Sequence, residues 1–215
     1  MSAPQVSSKP KRAKAPAQEV PNKAVSVAYE RFIGIDPGVK GAMALLDATG
    51  KVLDCRVTPT IVTLKSTKTK KGNHKINTEV ELQATCDTLR EWIEGYTCVM
   101  VIEKVQPMSK GEGSVSLWSF AGGFFCWPAL AVALRIPYEL ITPNTWKKGM
   151  GLTGDSVAEL VRSGMTESRA SSMVKERDRQ KALQLFPQVS HQLQNKVDHG
   201  KADALLLAEY ARRTL

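Results

Sequence analysis

The chain has 215 residues, 42% of them hydrophobic, which is enough to bury one core and sets the expectation of a single domain. No apolar run reaches the length of a membrane-spanning helix and no hydrophobic signal core precedes residue 31, so neither an integral helical membrane protein nor a secreted product is expected. The formal charge of +9 sits in two places, a surplus of four in residues 1–24 and of five in residues 65–75, which points to basic arms for a polyanion more than to a uniformly basic surface.

Residues 1–24 are rich in Ser, Ala, Pro and Lys and have no apolar period, so they read as a disordered basic tail ahead of a domain spanning 25–215. Arg31–Asp36 is a short apolar strand ended by Pro37-Gly38. Gly41–Asp47 and Lys51–Val57 are two more strands, joined through Ala48-Thr49-Gly50 as a hairpin, and a basic loop at 65–75 follows. From Thr78 the spacing of Val80, Leu82, Cys86, Leu89, Trp92 and Ile93 predicts a helix ending near Gly95, before a strand at 97–103. A Gly/Ser-rich loop at 109–114 leads into a long helix reaching Leu134, in which Pro128 is expected to kink or interrupt the helix. Ile136–Thr142 is a strand and Pro143-Asn144-Thr145 opens a helix. Residues 150–174 are hard to read beyond a helix at Val157–Arg162, and two helices, about 168–186 and 201–213, close the chain. A meander followed by alternating helices and strands implies an α/β domain, a mixed central sheet flanked by helices. Cys55, Cys86, Cys98 and Cys126 are dispersed with no zinc-like spacing, which fits structural thiols in a reduced compartment.

Acids mark the ends of the apolar runs. Asp36 ends the first strand, Glu103 ends the strand Cys98–Glu103, and Asp198-His199-Gly200-Lys201-Ala202-Asp203 opens the apolar helix Ala204–Ala208. Taken singly, Asp36 before Pro-Gly is a turn former, Glu103 a solvent-exposed strand end and Asp203 a first-turn acid suited to the helix dipole. Jointly, their order is that of the ribonuclease H-like nucleases, in which the first two acids emerge side by side and the last helix crosses them. Carboxylates at the mouth of a buried sheet are costly unless a cation compensates. Two Mg²⁺ ions about 4 Å apart, bridged by Asp36 and replaceable by Mn²⁺, would activate water and neutralise the transition state of phosphodiester hydrolysis.

The blocks Phe32-Ile-Gly-Ile-Asp36-Pro-Gly38, Val101-Ile-Glu103-Lys-Val and Lys201-Ala-Asp203-Ala-Leu-Leu-Leu-Ala208, together with Ile136-Pro137-Tyr138 to Trp146-Lys147-Lys148, resemble the signature blocks of the RuvC Holliday junction resolvases. Asp198-His-Gly-Lys-Ala-Asp203 is most similar to the plant and algal monokaryotic-chloroplast branch. The resemblance spans roughly residues 30–212. It implies a ribonuclease H-like fold and a homodimeric, Mg²⁺-dependent endonuclease that resolves four-way DNA junctions by two symmetric nicks in recombination and genome segregation. It implies work in the chloroplast nucleoid, with bacterial cytoplasm as the alternative, and neither a membrane nor a small-molecule substrate. Asp36, Glu103 and Asp203 match its first, second and last metal-binding acids. Relatives carry an Asp or His where this chain has Gly200, so the fourth ligand falls to Asp198, which the plastid pattern favours, or to His199, which shares a helix face with Asp203.

Lys68, Lys70, Lys71 and Lys75 in the basic loop, with Lys104, Lys147 and Lys148, are candidates for phosphate contacts, which position a nucleic acid without reading its sequence. Phe120, Phe124 and Trp127 share one face of the long helix while Trp118 and Phe125 lie opposite. By the resemblance this helix forms the dimer interface, with Gly122-Gly123 permitting close approach. Three other readings stay open: a nuclease of this fold acting on RNA, a non-catalytic junction binder, and an actin-like ATPase, whose second Gly-rich phosphate loop is not in the sequence.

Overall fold

The computed structural model describes residues 28–68, 72, 74–105, 114–152 and 154–215. The expected tail, Lys70 and Lys71 lie outside them, as do the side chains of Lys65, Lys68, Lys75, Trp118 and Phe120. Strands β1 (Arg31–Asp36), β2 (Ala42–Asp47) and β3 (Val52–Val57) form the expected meander. Both ends of the segment expected as a basic loop, residues 65–68 and 74–75, lie instead in a separate two-stranded ribbon, β4 (Thr60–Lys68) and β5 (His74–Val80), with Lys68 opposite His74. Thr78 and Val80 therefore lie in a strand. Both are β-branched and pair across to Val62 and Thr60, and that pairing overrides a helical spacing that fits Val80 by coincidence. Helix α1 (Leu82–Ile93) starts only after Glu81, whose carboxylate caps the amides of Gln83 and Ala84.

Strand β6 (Cys98–Glu103) leads to α2 (Ser114–Ala133), then β7 (Tyr138–Ile141), α3 (Pro143–Gly149), α4 (Val157–Arg162), α5 (Glu167–Leu185) and, after two 3₁₀ turns, α6 (His199–Thr214). Helix α2 continues through Pro128 without interruption. Proline removes one backbone hydrogen bond, and the neighbouring turns are held by the buried Trp127 and Ala131.

The five-stranded sheet runs β3-β2-β1-β6-β7, antiparallel from β3 to β1 and parallel from β1 to β7. Both faces are covered, so β1, β2 and β6 read as continuous apolar runs. Ile33, Ile35, Met43, Leu45, Met100 and Ile102 pack with Leu89, Trp92 and Trp127 from α1 and α2. Phe32, Ala44, Leu46, Val99 and Val101 pack with α6 on the other face. Alternation with period two then puts Asp36 after Phe32 and Gly34, and Glu103 after Val99 and Val101, on the α6 face. Ile35 pairs with Ile102, so the two acids leave adjacent strands together.

Helix α6 approaches β1 so closely that only glycine fits at position 34. A Cβ there would lie 2.1 Å from the Ala204 carbonyl oxygen and 2.4 Å from the Ala208 amide nitrogen. The segment 150–174 adds a third layer: Leu160 of α4 packs on Ala170 and Val174 of α5, and α5 packs on α6.

Because the obstruction at Gly34 is helix backbone, Gly34→Ala must push α6 away from the sheet. The expected loss of stability is about 3 kcal/mol, the upper part of the range for overpacking. In a chain of this size that is a fall in Tm of roughly 6–12 °C, readable by thermal unfolding.

Candidate metal centre

Each acid reaches the site for a local reason. Asp36 is delivered by β1 into a tight turn in which Gly38 donates to the Asp36 carbonyl at 3.0 Å and Gly41 donates to Gly38 at 2.9 Å. The turn needs glycine at 41, since a Cβ would lie 2.0 Å from the Asp36 carbonyl oxygen. Asp203 and His199 stand one helical turn apart on α6, and Gly200 between them faces Asp36, with a Cβ position 3.0 Å from both Asp36 Oδ2 and the Lys40 carbonyl oxygen. Having no side chain, Gly200 lets α6 come into close contact with Asp36.

One ligand atom each from Asp36, His199 and Asp203 lies within 4.8 Å of the other two. Asp203 Oδ1 is buried with no hydrogen-bond partner. Burial first and the Glu103 charge second push the Asp36 carboxyl up to about 7, against the pull of Lys175 and Lys147. Burial also raises Asp203 well above the usual range, reinforced by Asp36. The His199 imidazole is held below its usual value by burial and by Lys175, whose Nζ is 3.2 Å from Nε2. A neutral imidazole and two hard carboxylates, one of them with an orphaned oxygen, form a donor set that fits a divalent cation such as Mg²⁺ or Mn²⁺.

Glu103 is raised by burial and lowered by Lys147; the Trp146 indole also lowers it, although that buried N–H falls short of full hydrogen-bond geometry. Glu103 raises Asp36 without joining the tight group of three. Asp198 is committed elsewhere: its Oδ2 accepts from the Asn195 amide at 2.9 Å and closes its own 3₁₀ turn. Of the two candidates for a fourth ligand, the structure brings His199 to the acids and leaves Asp198 outside.

Lys147 is less exposed than a phosphate-contacting lysine is expected to be. Its Nζ lies 2.6 Å from Oδ2 of Asp178, which is 1% exposed. Burial pulls the Lys147 ammonium down, but Asp203, Asp178 and Glu103 outweigh it, and the group stays charged above its usual value. Lys104 and Lys148 are exposed. Asp178 and Lys175 had no place in the expected site. Asp178 did leave a signal, because it is the one acid in the stripe Ala170, Val174, Asp178, Ala182 that α5 buries. Lys175 left none.

No protein-family model matches the sequence, and no curated protein matches it. The fold is similar to that of T. thermophilus RuvC in complex with Holliday junction substrate, with a TM-score of 0.50 and 13% identity over 86% of this chain and 96% of that one. A second structure, of Thermus thermophilus RuvC, aligns with a TM-score of 0.43 and 13% identity over 85% and 96% of the two chains. The ribonuclease H-like fold, a mixed central sheet flanked by helices, is thereby established.

Unfolded aspartate loses its proton near pH 4, whereas folded, metal-free Asp36 holds it to about 7. Between those values the folded chain binds more protons than the unfolded one, so its stability falls as pH rises. In EDTA the Tm is expected to fall from pH 4 to pH 7 through this cluster, and Asp36→Asn is expected to flatten the fall. Saturating Mn²⁺ or Mg²⁺ raises the wild-type Tm at pH 7, by about 2.7 kcal/mol of stability at a hundredfold excess over Kd, and raises that of Asp36→Asn far less. Scanning fluorimetry against pH and metal reads all three effects.

Proposed function

We propose that the protein is a divalent-metal-dependent endonuclease that cuts four-way DNA junctions by paired symmetric nicks, acting as a homodimer in DNA recombination and genome segregation. The observation that carries this reading is the convergence of Asp36, Asp203 and His199 at the end of the central strand, with a buried oxygen of Asp203 left unpartnered. The resemblance of the signature blocks and the likeness in fold to a RuvC structure in complex with Holliday junction substrate supply the substrate class.

In this reading Asp36 and Asp203 hold the ion, His199 completes its protein ligands in place of Asp198, and Glu103 reaches in from β6. Bound Mg²⁺ or Mn²⁺ supplies an activated water and neutralises charge on the phosphate. Helix α6 orients Asp203 and His199 rigidly, and Gly200 leaves the approach to Asp36 open. The Asp178 carboxylate fixes the Lys147 ammonium beside Asp203, where it lowers the cost of bringing in a phosphodiester. Lys104 and Lys148, being exposed, contact the backbone, and Lys68, Lys70, Lys71 and Lys75 of the basic segment add charge for the same polyanion.

The dimer is assigned to α2. Phe125 and Val132 are 65% and 67% exposed there, and a Cβ added at Gly122 or Gly123 would meet nothing within 4 Å. A two-fold dimer places two active sites symmetrically, as paired nicks in a four-way junction require. Work in a plastid is read from the Asp198–Asp203 block and the basic loop ending in Gly72-Asn-His74-Lys75.

The test is cleavage of a labelled mobile four-way junction with Mg²⁺ or with EDTA, mapping both strands. Paired, ligatable nicks that need metal are expected. Asp36→Asn, Glu103→Gln and Asp203→Asn are expected to lower the rate by roughly two to three orders of magnitude, the scale of losing one electrostatic stabiliser of a transition state, with junction binding retained. His199→Ala is expected to cost far more than Asp198→Ala. Binding without cuts in any divalent metal contradicts the nuclease, and equal cutting of RNA or plain duplex contradicts the junction.

A further inference from the structure

Beyond the acids, α3 faces α4 and α5 across an open groove of about 630 Å³. Asn144, Lys147 and Lys148 line one side, and Ser156, Glu159 and Arg177 line the other. Lys147 belongs to both the groove and the metal centre, so the groove begins where the acidic cluster ends. The basic wall is held in place from beneath. Asp178, 1% exposed, accepts from Lys147 Nζ at 2.6 Å and from Arg177 Nε at 3.4 Å, one buried carboxylate fixing two cations. Arg177 also donates to the Asp155 carbonyl at 3.5 Å. Gly154, at φ 141°, leaves its guanidinium room, since a Cβ there would sit 2.8 Å from Nη1.

The acid on the opposite wall is already engaged. Glu159 accepts from the Ser156 amide at 2.7 Å and from its hydroxyl at 2.6 Å in the capping box of α4. Lys148 is exposed and makes no ion pair among the described residues. The groove therefore presents Lys147, Lys148 and a guanidinium with spare donors, along a path continuous with the site where a phosphodiester is held. Leu152, Val157 and Val174 form its floor, but it has no aromatic lining and stands open to solvent, unlike the enclosed cavities that select a small molecule.

We propose that this groove is a binding site for the sugar–phosphate backbone of the strand beside the cut, with Lys148 and Arg177 contacting its phosphates. The inference rests on the nuclease reading for the direction of the strand, and it gives a use to α4 and the turn before it. Contacts of this kind add affinity and register but no base recognition. Each phosphate neutralised steepens the dependence of affinity on salt by about one unit of log–log slope.

The experiment is fluorescence anisotropy of a labelled four-way junction in EDTA, with Kd measured between 50 and 200 mM KCl. The variants are Lys148→Gln, Arg177→Gln, both together, Arg177→Lys, and Lys51→Gln at the far end of the sheet as a control. Each single Gln variant is expected to weaken binding about three- to tenfold at the upper salt and to lower the slope by about one, the double variant by about two. Arg177→Lys keeps the slope and Lys51→Gln changes nothing. The metal-induced rise in Tm stays at the wild-type value in all of them, separating a lost phosphate contact from a damaged centre. Lys148 is a surface side chain, so its variant decides the matter even where Arg177→Gln loosens α5. Wild-type affinity and slope in both Gln variants overturns the groove, together with the backbone contact of Lys148, and leaves the metal-dependent cleavage reading standing. A wild-type protein that binds no nucleic acid overturns both.

Discussion

Helix α6 lies on β1 with backbone against backbone, because Gly34 presents no side chain and Ala204 and Ala208 present the least the helix can offer. That contact fixes the register of α6 over the sheet, and with it the positions of His199 and Asp203 above Asp36. A looser packing would leave the same acids in the sequence with no common focus. Gly41 and Gly200 repeat the device at the rim, one tightening the turn after β1 and the other letting the first turn of α6 pass the Asp36 carboxylate. Three positions without side chains thus set the distances among Asp36, His199 and Asp203.

The cost of this arrangement is electrostatic. Asp36, Glu103 and Asp203 are desolvated together, Glu103 raises Asp36, and both raise Asp203, which at neutral pH opposes folding. Two lysines offset part of it from outside the strands: Lys147 from α3, anchored by Asp178, and Lys175 from α5, next to His199. Both are countered by a carboxylate or held by an imidazole, so neither fills the gap at Asp203 Oδ1. The cluster is thus a partly compensated acidic site that keeps one buried oxygen, Asp203 Oδ1, without a partner.

The fold was legible where side-chain alternation and punctuation were unambiguous. Pro37-Gly38 and Ala48-Thr49-Gly50 marked the ends of β1 and β2, Thr142-Pro143 marked the start of α3, and α4 was read at its observed limits. The β4–β5 ribbon was not legible, because a lysine-rich hairpin carries the composition of a loop and its pairing is a tertiary fact. Asp36, Glu103 and Asp203 could be picked out because each interrupts an apolar run at its end. The choice between Asp198 and His199 could not be made that way. It depends on whether α6 starts at 199 or later, and one residue of helix start turns the side chain by about 100°. Asp178 broke an apolar stripe on α5 and so left a trace, whereas Lys175 lies on an exposed face with nothing to distinguish it.

The central claim is that Asp36, Asp203 and His199 form a metal centre, and anomalous diffraction from crystals grown with Mn²⁺ addresses it most directly. The account predicts a manganese peak bonded to a carboxylate oxygen of Asp36, to Oδ1 of Asp203 and to an imidazole nitrogen of His199, with Lys175 displaced from that ring. Absence of a peak at saturating Mn²⁺, with the two carboxylates sharing a proton instead, would contradict it.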